Sequence, residues 1–299
     1  MRVFVTGATG WVGSAVVKEL IGAGHQVTGL ARSPARAADL AATGAKVQLG
    51  SITDLELLRE AAGAADAVIH CAFNHDFSRF LENCAEDERA IAAMGAALDG
   101  SDRPMLVTSG MALIAPGRLA EESDPTRPDF PRGSERAAQA LAARGVRAGA
   151  VRLPPSVHGL GDHGFVPRLI QIARETGVAA HVGEGLNRWS GVHRLDAARV
   201  FRLAIEEGVA HPVYHAVGDQ GVAFKAIAEV IGRRLGAPVA SVTAEEASAH
   251  FGWMAPFAGM DLAASGSRTE SWLGWAPRQP GLLADLDQLG YFDAQATAA

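Results

Sequence analysis

Residues 2–13 read Arg2-Val3-Phe4-Val5-Thr6-Gly7-Ala8-Thr9-Gly10-Trp11-Val12-Gly13, and this stretch decides the fold. A short β-branched and aromatic run ends in three glycines spaced three apart. Apolar residues then recur at helical spacing over Val12–Gly22. Strand, glycine turn and helix together make a unit in which each glycine has its own task. Gly7 permits the tight turn. Gly10 lets the main chain approach a pyrophosphate. Gly13 lets the helix lie close to the strand, so that the helix N-terminus faces the anion. A bound dinucleotide is expected, with Gly7, Thr9, Gly10, Trp11, Val12 and Gly13 around its phosphates. The plain alternative is a tight turn with no ligand.

The end of the second strand selects between NAD and NADP. It reads Gly29-Leu30-Ala31-Arg32-Ser33, with no carboxylate to hold a ribose 2′-hydroxyl. Arg32 suits a 2′-phosphate through a planar, charge-assisted contact, and Ser33 adds a donor. Arg36 stands close enough in sequence to assist. NADP, in use as NADPH, is therefore the expected cofactor, against the plain reading of Arg32 as a solvated surface residue. Further cofactor contacts are expected after later strands: Ser51 and Ile52, then Cys71, Ala72 and Phe73, then Thr108, then Pro154, Pro155 and Ser156.

Outward from the glycine stretch, apolar runs alternate with helical patterns. The runs are Arg2–Val5, Gln26–Leu30, Lys46–Leu49, Ala67–His70, Met105–Thr108 and Ala148–Leu153. The helical patterns cover Val12–Gly22, Pro34–Thr43, Asp54–Ala61, Phe77–Asp99 and Gly133–Arg144. This alternation predicts an α/β fold, a doubly wound parallel sheet with helices on both faces. After about Pro154 the rhythm changes. Helices are expected at Val166–Thr176, Asp196–Glu207, Phe224–Leu235 and Thr243–His250, with one more strand at Val213–Val217. The expected division is a cofactor domain over 1–155, with 192–217 returning to it. Residues 156–191 and 218–299 are expected to form a smaller substrate-binding portion.

Composition fits a globular enzyme. The chain has 299 residues, 48% of them hydrophobic, and 27 Lys+Arg against 33 Asp+Glu give a net charge of −6. A negative chain lacks the basic surface that a general nucleic-acid binder needs. No run of 18 apolar residues is present, so no membrane association is expected. Met1-Arg2 leads straight into a strand, with no leader pattern, and Cys71 and Cys84 form no disulfide framework. A cytoplasmic protein, monomer or homodimer, acting on a small molecule is the expectation.

Five motifs together resemble the extended and atypical short-chain dehydrogenase/reductases, the family of nucleotide-sugar epimerases, dihydroflavonol reductases and 3β-hydroxysteroid dehydrogenases. They are Thr6–Gly13, Leu106-Val107-Thr108-Ser109-Gly110, Val151-Arg152-Leu153-Pro154-Pro155-Ser156-Val157-His158-Gly159, Val192-His193-Arg194-Leu195-Asp196-Ala197-Ala198 and Leu273-Gly274-Trp275-Ala276-Pro277. The resemblance spans nearly the whole chain. It implies a Rossmann-type parallel sheet of seven strands with a smaller C-terminal substrate domain.

The departures bear on chemistry. The family's proton donor is a Tyr followed four residues later by Lys. Here Ser14, Ala42 and Gly221 precede Lys18, Lys46 and Lys225 by four, so no such pair exists. The corresponding stretch is Pro131-Arg132-Gly133-Ser134-Glu135-Arg136, with Pro131 at the Tyr and Glu135 at the Lys. Gly110 falls at the usual serine, with Ser109 beside it, and Asp87 falls at the family's helical asparagine. His158, just past the sixth strand, is the first candidate donor because its ordinary pKa suits proton transfer. Ser109 is the second and Asp87 the third. Their plain readings are a structural histidine, a satisfied loop hydroxyl and a solvated helix face. Asn74, His75, Met111, Phe165, Trp189 and His193 are expected to line the substrate pocket, and Asp196 to cap its helix. His158, Asp162 and His163 lack metal-ligand spacing, so no metal is expected. The leading function is NADPH-dependent reduction of a carbonyl or related double bond in a small, partly apolar molecule. The alternatives are a nucleotide-sugar epimerase or dehydratase and a non-catalytic NADP sensor.

Overall fold

The apolar runs of the first half become parallel strands. The computed structural model describes residues 1–111 and 114–293, Phe77 without its side chain. In chain order the first half comprises β1 (Arg2–Thr6), α1 (Trp11–Gly22), β2 (Gln26–Ala31), α2 (Pro34–Ala41), β3 (Lys46–Leu49), α3 (Leu55–Gly63), β4 (Ala67–His70), α4 (Phe80–Ala96), β5 (Met105–Gly110), α5 (Ser134–Ala142) and β6 (Ala148–Leu153). The second half comprises β7 (Ser156–His158), α6 (Phe165–Thr176), β8 (Ala179–Val182), β9 (Arg188–His193), α7 (Arg194–Glu206), β10 (Val213–His215), β11 (Asp219–Ala223), α8 (Phe224–Leu235), β12 (Val239–Val242), α9 (Ala244–Phe251), α10 (Ala255–Gly259), α11 (Ser267–Leu273) and α12 (Leu282–Leu286).

Seven strands form one parallel sheet in the order β3-β2-β1-β4-β5-β6-β10. The period-two alternation of β1 sorts its side chains. Val3 and Val5 pack with Val16, Val17 and Leu20 of α1 and Phe201 of α7, whereas Phe4 packs with Leu58, Ile91 and Met94 of α3 and α4. Each such buried side chain contributes about 1.5–3 kcal/mol. Helices thus cover both faces, as parallel sheets require. The strand order reverses between β1 and β4, which opens a crevice at the carboxyl ends of the strands.

The second half has its own core, centred on Trp189, Phe224, Phe251 and Met254. A three-stranded sheet (β11-β9-β7) and the parallel pair β8–β12 lie there. The periodicity did not predict these strands. β12 is four residues long and largely exposed, so no apolar run marks it.

Three expected boundaries differ. The Phe77–Asp99 helix begins as a 3-10 turn over Phe77–Arg79, because Asp76 accepts a hydrogen bond from Ser78 N (3.0 Å) and tightens the entry. The final strand stops at His215, after which Ala216 N bonds Arg152 O (3.1 Å). Asp196 does not cap α7: the ring of His193 accepts from Leu195 N (3.3 Å) at that position. Asp196 instead lies buried in the first turn and accepts from Arg278 N (2.9 Å) and Gln279 N (2.8 Å). Trp275 Nε1 donates to Asp196 O (3.1 Å), so two of the five sequence motifs are bonded to each other. Among the described residues no helix is long and apolar enough to cross a membrane.

Candidate functional site

The glycine turn is built as a cradle. Gly7 has φ +64°, and a Cβ there would lie 2.6 Å from Ala72 N, inside the contact limit. A Cβ on Gly13 would lie 2.0 Å from Gly7 O. Only glycine lets α1 start this close to β1 and β4. Gly10 is the N-cap residue and no side chain caps α1, so the first-turn amides are free for an anion. This geometry fits a dinucleotide pyrophosphate.

The other expected cofactor residues follow successive strands at the same edge. Arg32 and Ser33 follow β2, Ser51 and Ile52 follow β3, Cys71 to Phe73 follow β4, Thr108 lies in β5, and Pro154 to Ser156 follow β6. The Arg32 side chain is exposed and makes no ion pair among the described residues. The Ser33 hydroxyl caps α2, accepting from Arg36 N (3.4 Å). Burial pushes the Cys71 thiol up to about 12. Ser156 Oγ is buried without a partner. A buried hydroxyl left unpaired points to a missing polar group at this edge.

Trp11 ties the cradle to the second half. Its Nε1 donates to Val157 O (2.7 Å), and Arg194 stacks 4.0 Å from its ring centroid. The His163 ring meets it edge-on at 5.6 Å.

A buried relay runs behind the crevice. Thr6 Oγ1 lies 2.7 Å from His70 Nδ1, and His70 Nε2 lies 2.9 Å from Asp87 Oδ1. Ser134 Oγ donates to Asp87 Oδ2 (2.6 Å), and Arg132 Nε donates to Ser134 Oγ (3.2 Å). Burial opposes the Asp87 charge, but the hydrogen bond from His70 and the charge of Arg132 outweigh it and hold its pKa below the usual value. An ionised Asp87 only accepts, so His70 Nε2 carries the proton of that bond. Asp87, on a charged stretch of sequence, is therefore not a solvated face but a buried anchor.

Arg132 emerges from this relay onto the edge between β4 and β5. Its guanidinium lies 4.1 Å from the Phe73 ring centroid and Nη2 donates to Thr108 O (3.3 Å). Ser109 follows Thr108. It is 9% exposed, and its hydroxyl has no hydrogen-bond partner among the described residues. His75 meets Phe73 edge-on at 5.3 Å, and its pKa is lowered first by desolvation and then by the charge of Arg132. Asn74 braces the loop, donating to Asn83 Oδ1 (3.2 Å) and accepting from Asp76 N (3.1 Å). Met111 floors an apolar cleft of about 160 Å³ shared with Ile114, Ala115, Met260 and Leu262. Ser109, Asn74, His75 and Met111 thus all lie at or next to the carboxyl edge of β4 and β5.

Other candidates lie elsewhere. His158 has no exposed surface. Its Nδ1 is 2.9 Å from Asp285 Oδ2 and its Nε2 3.8 Å from Asp219 Oδ2, an ion-pair distance. Burial alone would lower its pKa, but the two carboxylates raise it. Tyr291 completes this cluster: its hydroxyl lies 2.6 Å from Asp285 Oδ2 and accepts from Gly159 N (2.8 Å). The setting of His158 is that of a structural ion pair holding α12 against β7. Trp189 is fully buried, donating to Phe257 O (3.1 Å), and the Phe165 ring meets that of Phe257 at a tilt, with centroids 4.9 Å apart, so both belong to the second core. His193 is the α7 cap and contacts the His158 ring edge-on at 5.5 Å.

The stretch at the family's Tyr-Lys position has other work. Glu135 is buried and takes two bonds from Arg152, from Nε to Oε2 (2.8 Å) and from Nη2 to Oε1 (2.7 Å). His215 Nε2 lies 3.1 Å from Arg152 Nη1, and burial pushes its pKa down to about 4. Tyr214 is fully buried, and burial pushes its hydroxyl up to about 12. Thr6, His70, Arg132 and Ser134 were not singled out from the sequence. His70 hides at the end of an apolar run. Arg132 and Ser134 lie in the stretch where the family resemblance implies the Tyr-Lys pair, and no pattern there marks them.

Comparison with known proteins agrees with this geometry. A family model described as NAD(P)H-binding matches residues 7–154. An uncharacterized protein of Schizosaccharomyces pombe is 46% identical over 295 residues, covering 98% of this chain and 100% of the relative. A Stigmatella aurantiaca 4-hydroxy-2-methyl-3-oxo-4-farnesyl-3,4-dihydroquinoline-1-oxide ketoreductase is 30% identical over 230 residues, 72% of this chain and 67% of that one. A dTDP-glucose 4,6-dehydratase from Streptomyces venezuelae, solved with NAD bound, superposes with a TM-score of 0.74 at 22% identity, covering 96% of each chain. With its glycine cradle at the reversal of a seven-stranded parallel sheet and relatives spanning its length, the chain belongs to the short-chain dehydrogenase/reductase family of NAD(P)-binding oxidoreductases.

Proposed function

We propose that the protein is an NADPH-dependent reductase of a carbonyl or related double bond in a small, partly apolar molecule. The observation that carries this reading is the unpartnered Ser109 hydroxyl at the carboxyl edge of β5, two residues before the Met111 cleft. NADP is preferred because Arg32 is exposed and unpaired where a 2′-phosphate would lie, with no carboxylate in the turn. The Stigmatella aurantiaca relative, named a ketoreductase, supports the reaction class. When bound, the cofactor supplies the hydride. The chain's share is to orient the acceptor and polarise it. Ser109 Oγ–H donates to the carbonyl oxygen, and the apolar cleft holds the rest of the molecule. The tyrosines take no part, because Tyr214 and Tyr291 are buried and bonded elsewhere.

The test is NADPH consumption with a panel of aldehydes and ketones. At least one should be reduced. Ser109→Ala should then lower turnover about 100- to 1,000-fold, as for loss of one donor to a developing oxyanion, with NADPH affinity nearly unchanged. Tight NADPH binding with no consumption across the panel would instead favour a sensor.

A further inference from the structure

The described arginines with little exposed surface mostly face a carboxylate. Arg152 pairs with Glu135 at 2.7 Å, Arg199 with Asp196 at 3.2 Å and Arg202 with Glu19 at 2.7 Å. Arg132, like Arg103 and Arg194, does not. No carboxylate lies within 4.0 Å of it among the described residues, although it is partly buried at the mouth of the crevice. The nearest acid, Asp87, is reached only through Ser134 and is already engaged by His70. A guanidinium carries five N–H donors. The bonds to Ser134 Oγ and Thr108 O use one on Nε and one on Nη2. Both donors on Nη1 and one on Nη2 are left. The Phe73 ring beneath and the Ser134 and Thr108 oxygens behind fix the plane of the group.

A held guanidinium with a free edge and no counter-ion is a receptor for a carboxylate, which matches its fork geometry. Desolvation strengthens that preference, since an unpaired charge away from water gains most from a partner. Burial also lowers the Arg132 pKa, in line with a cation short of compensation. Thr108 leads directly into Ser109, so the free edge and the unpartnered hydroxyl share one strand end.

We infer that Arg132 binds a carboxylate of the substrate, and that the molecule reduced is an oxo acid whose ketone lies within a few bonds of its carboxylate. This rests on the reductase reading above. In the reaction the carbonyl carbon gains a hydride as the C=O π bond breaks, the oxygen gains a proton from solvent, and NADPH is oxidised to NADP⁺. The hydroxy acid leaves with its carboxylate unchanged. Arg132 takes no part in electron or proton transfer: it sets specificity and position.

Two measurements test the inference. In the first, a panel of 2- and 3-oxo acids of four to ten carbons is compared with the matching methyl esters as substrates with NADPH. The acids should exceed their esters in kcat/KM by about 10- to 100-fold, as for one hydrogen-bonded charge pair. Arg132→Ala should erase that ratio, with kcat/KM for the acids falling to the level of their esters, while NADPH affinity changes by less than about threefold. Arg132→Lys, which keeps the charge but loses the fork, should restore part of it. In the second, the same oxo acids are titrated calorimetrically into protein saturated with NADP⁺, where no turnover is needed. Binding that Arg132→Ala abolishes, without turnover in the first measurement, would keep the carboxylate site and remove the reductase reading. Esters reduced as well as acids, or acid binding indifferent to Arg132, would overturn the site. So would a large loss of NADPH affinity in Arg132→Ala, which would assign the arginine to the cofactor. Thermal unfolding of each variant shows that the fold is intact.

Discussion

On the proposed reading, single side chains at the strand ends carry the cofactor preference. Arg32 is exposed beside the β2 end with no carboxylate partner among the described residues, so it has no structural duty to lose. Arg32→Ala should weaken NADPH binding by about 1–3 kcal/mol, as for one charge-assisted contact, and leave NADH binding unchanged. Calorimetry with both cofactors checks this, and equal affinities in the parent protein would remove the NADP assignment. Gly13→Ala is the opposite case. Its Cβ would sit 2.0 Å from Gly7 O, a main-chain atom that cannot swing aside. The helix must shift, so binding of either cofactor should fall at least tenfold together with a lower melting temperature. These local features were legible in the sequence because strand, turn and helix start all lie within a dozen residues. The relay of Thr6, His70, Asp87, Ser134 and Arg132 was not. Its members come from β1, β4, α4, α5 and the turn before α5, and no window of sequence contains them.

At the level of elements, the first half follows its periodicity because each strand but the edge strand β3 is largely buried on both faces and each helix on one. The second half was less readable. Its strands are three to six residues long and partly exposed, so hydrophobic pattern alone did not separate them from loops. The position of His158 just past β6 suggested a proton donor, yet the fold carries that ring into the interior to meet α12. That contact has a measurable signature. His158→Ala leaves Asp285 buried beside Tyr291 without its charge partner, which should destabilise the protein by about 3–5 kcal/mol in chemical denaturation. The paired histidine also makes stability depend on pH. Its folded pKa is raised above the unfolded value, so the folded state binds more protons. The contribution is complete below about pH 6.5 and is lost as pH rises through the raised pKa. Asp162, pushed up to about 6 by burial, acts in a lower window, favouring the fold least once it ionises. Melting curves of His158→Asn should therefore lack a decline above neutrality that the parent shows. Parallel curves for the two proteins would refute the assignment.

Across the whole molecule, the glycine cradle and the second half are joined by Trp11, through Val157, Arg194 and His163. Anything that fixes the cradle should be felt on the far side of that joint. At a hundred times its Kd, NADPH should stabilise the fold by about 2.7 kcal/mol, and hydrogen exchange should slow at residues 157–163 as well as 7–13. Slowing confined to 7–13 would show that the joint transmits nothing. The Glu135–Arg152 pair has a consequence of another kind, for which substitutions the fold can accept. A lysine at position 135, where the family resemblance implies one, would face the buried Arg152 guanidinium across the space now filled by a carboxylate. Glu135→Lys alone should leave the chain unfolded at ordinary temperature, and Arg152→Met in addition should rescue much of the loss. Two cations at these facing positions would leave both uncompensated in the interior, so a change of sign at one is tolerated only together with a change at the other. The sign of the charge at one helix position thus acts as a lock on its partner, and the two can change only as a pair.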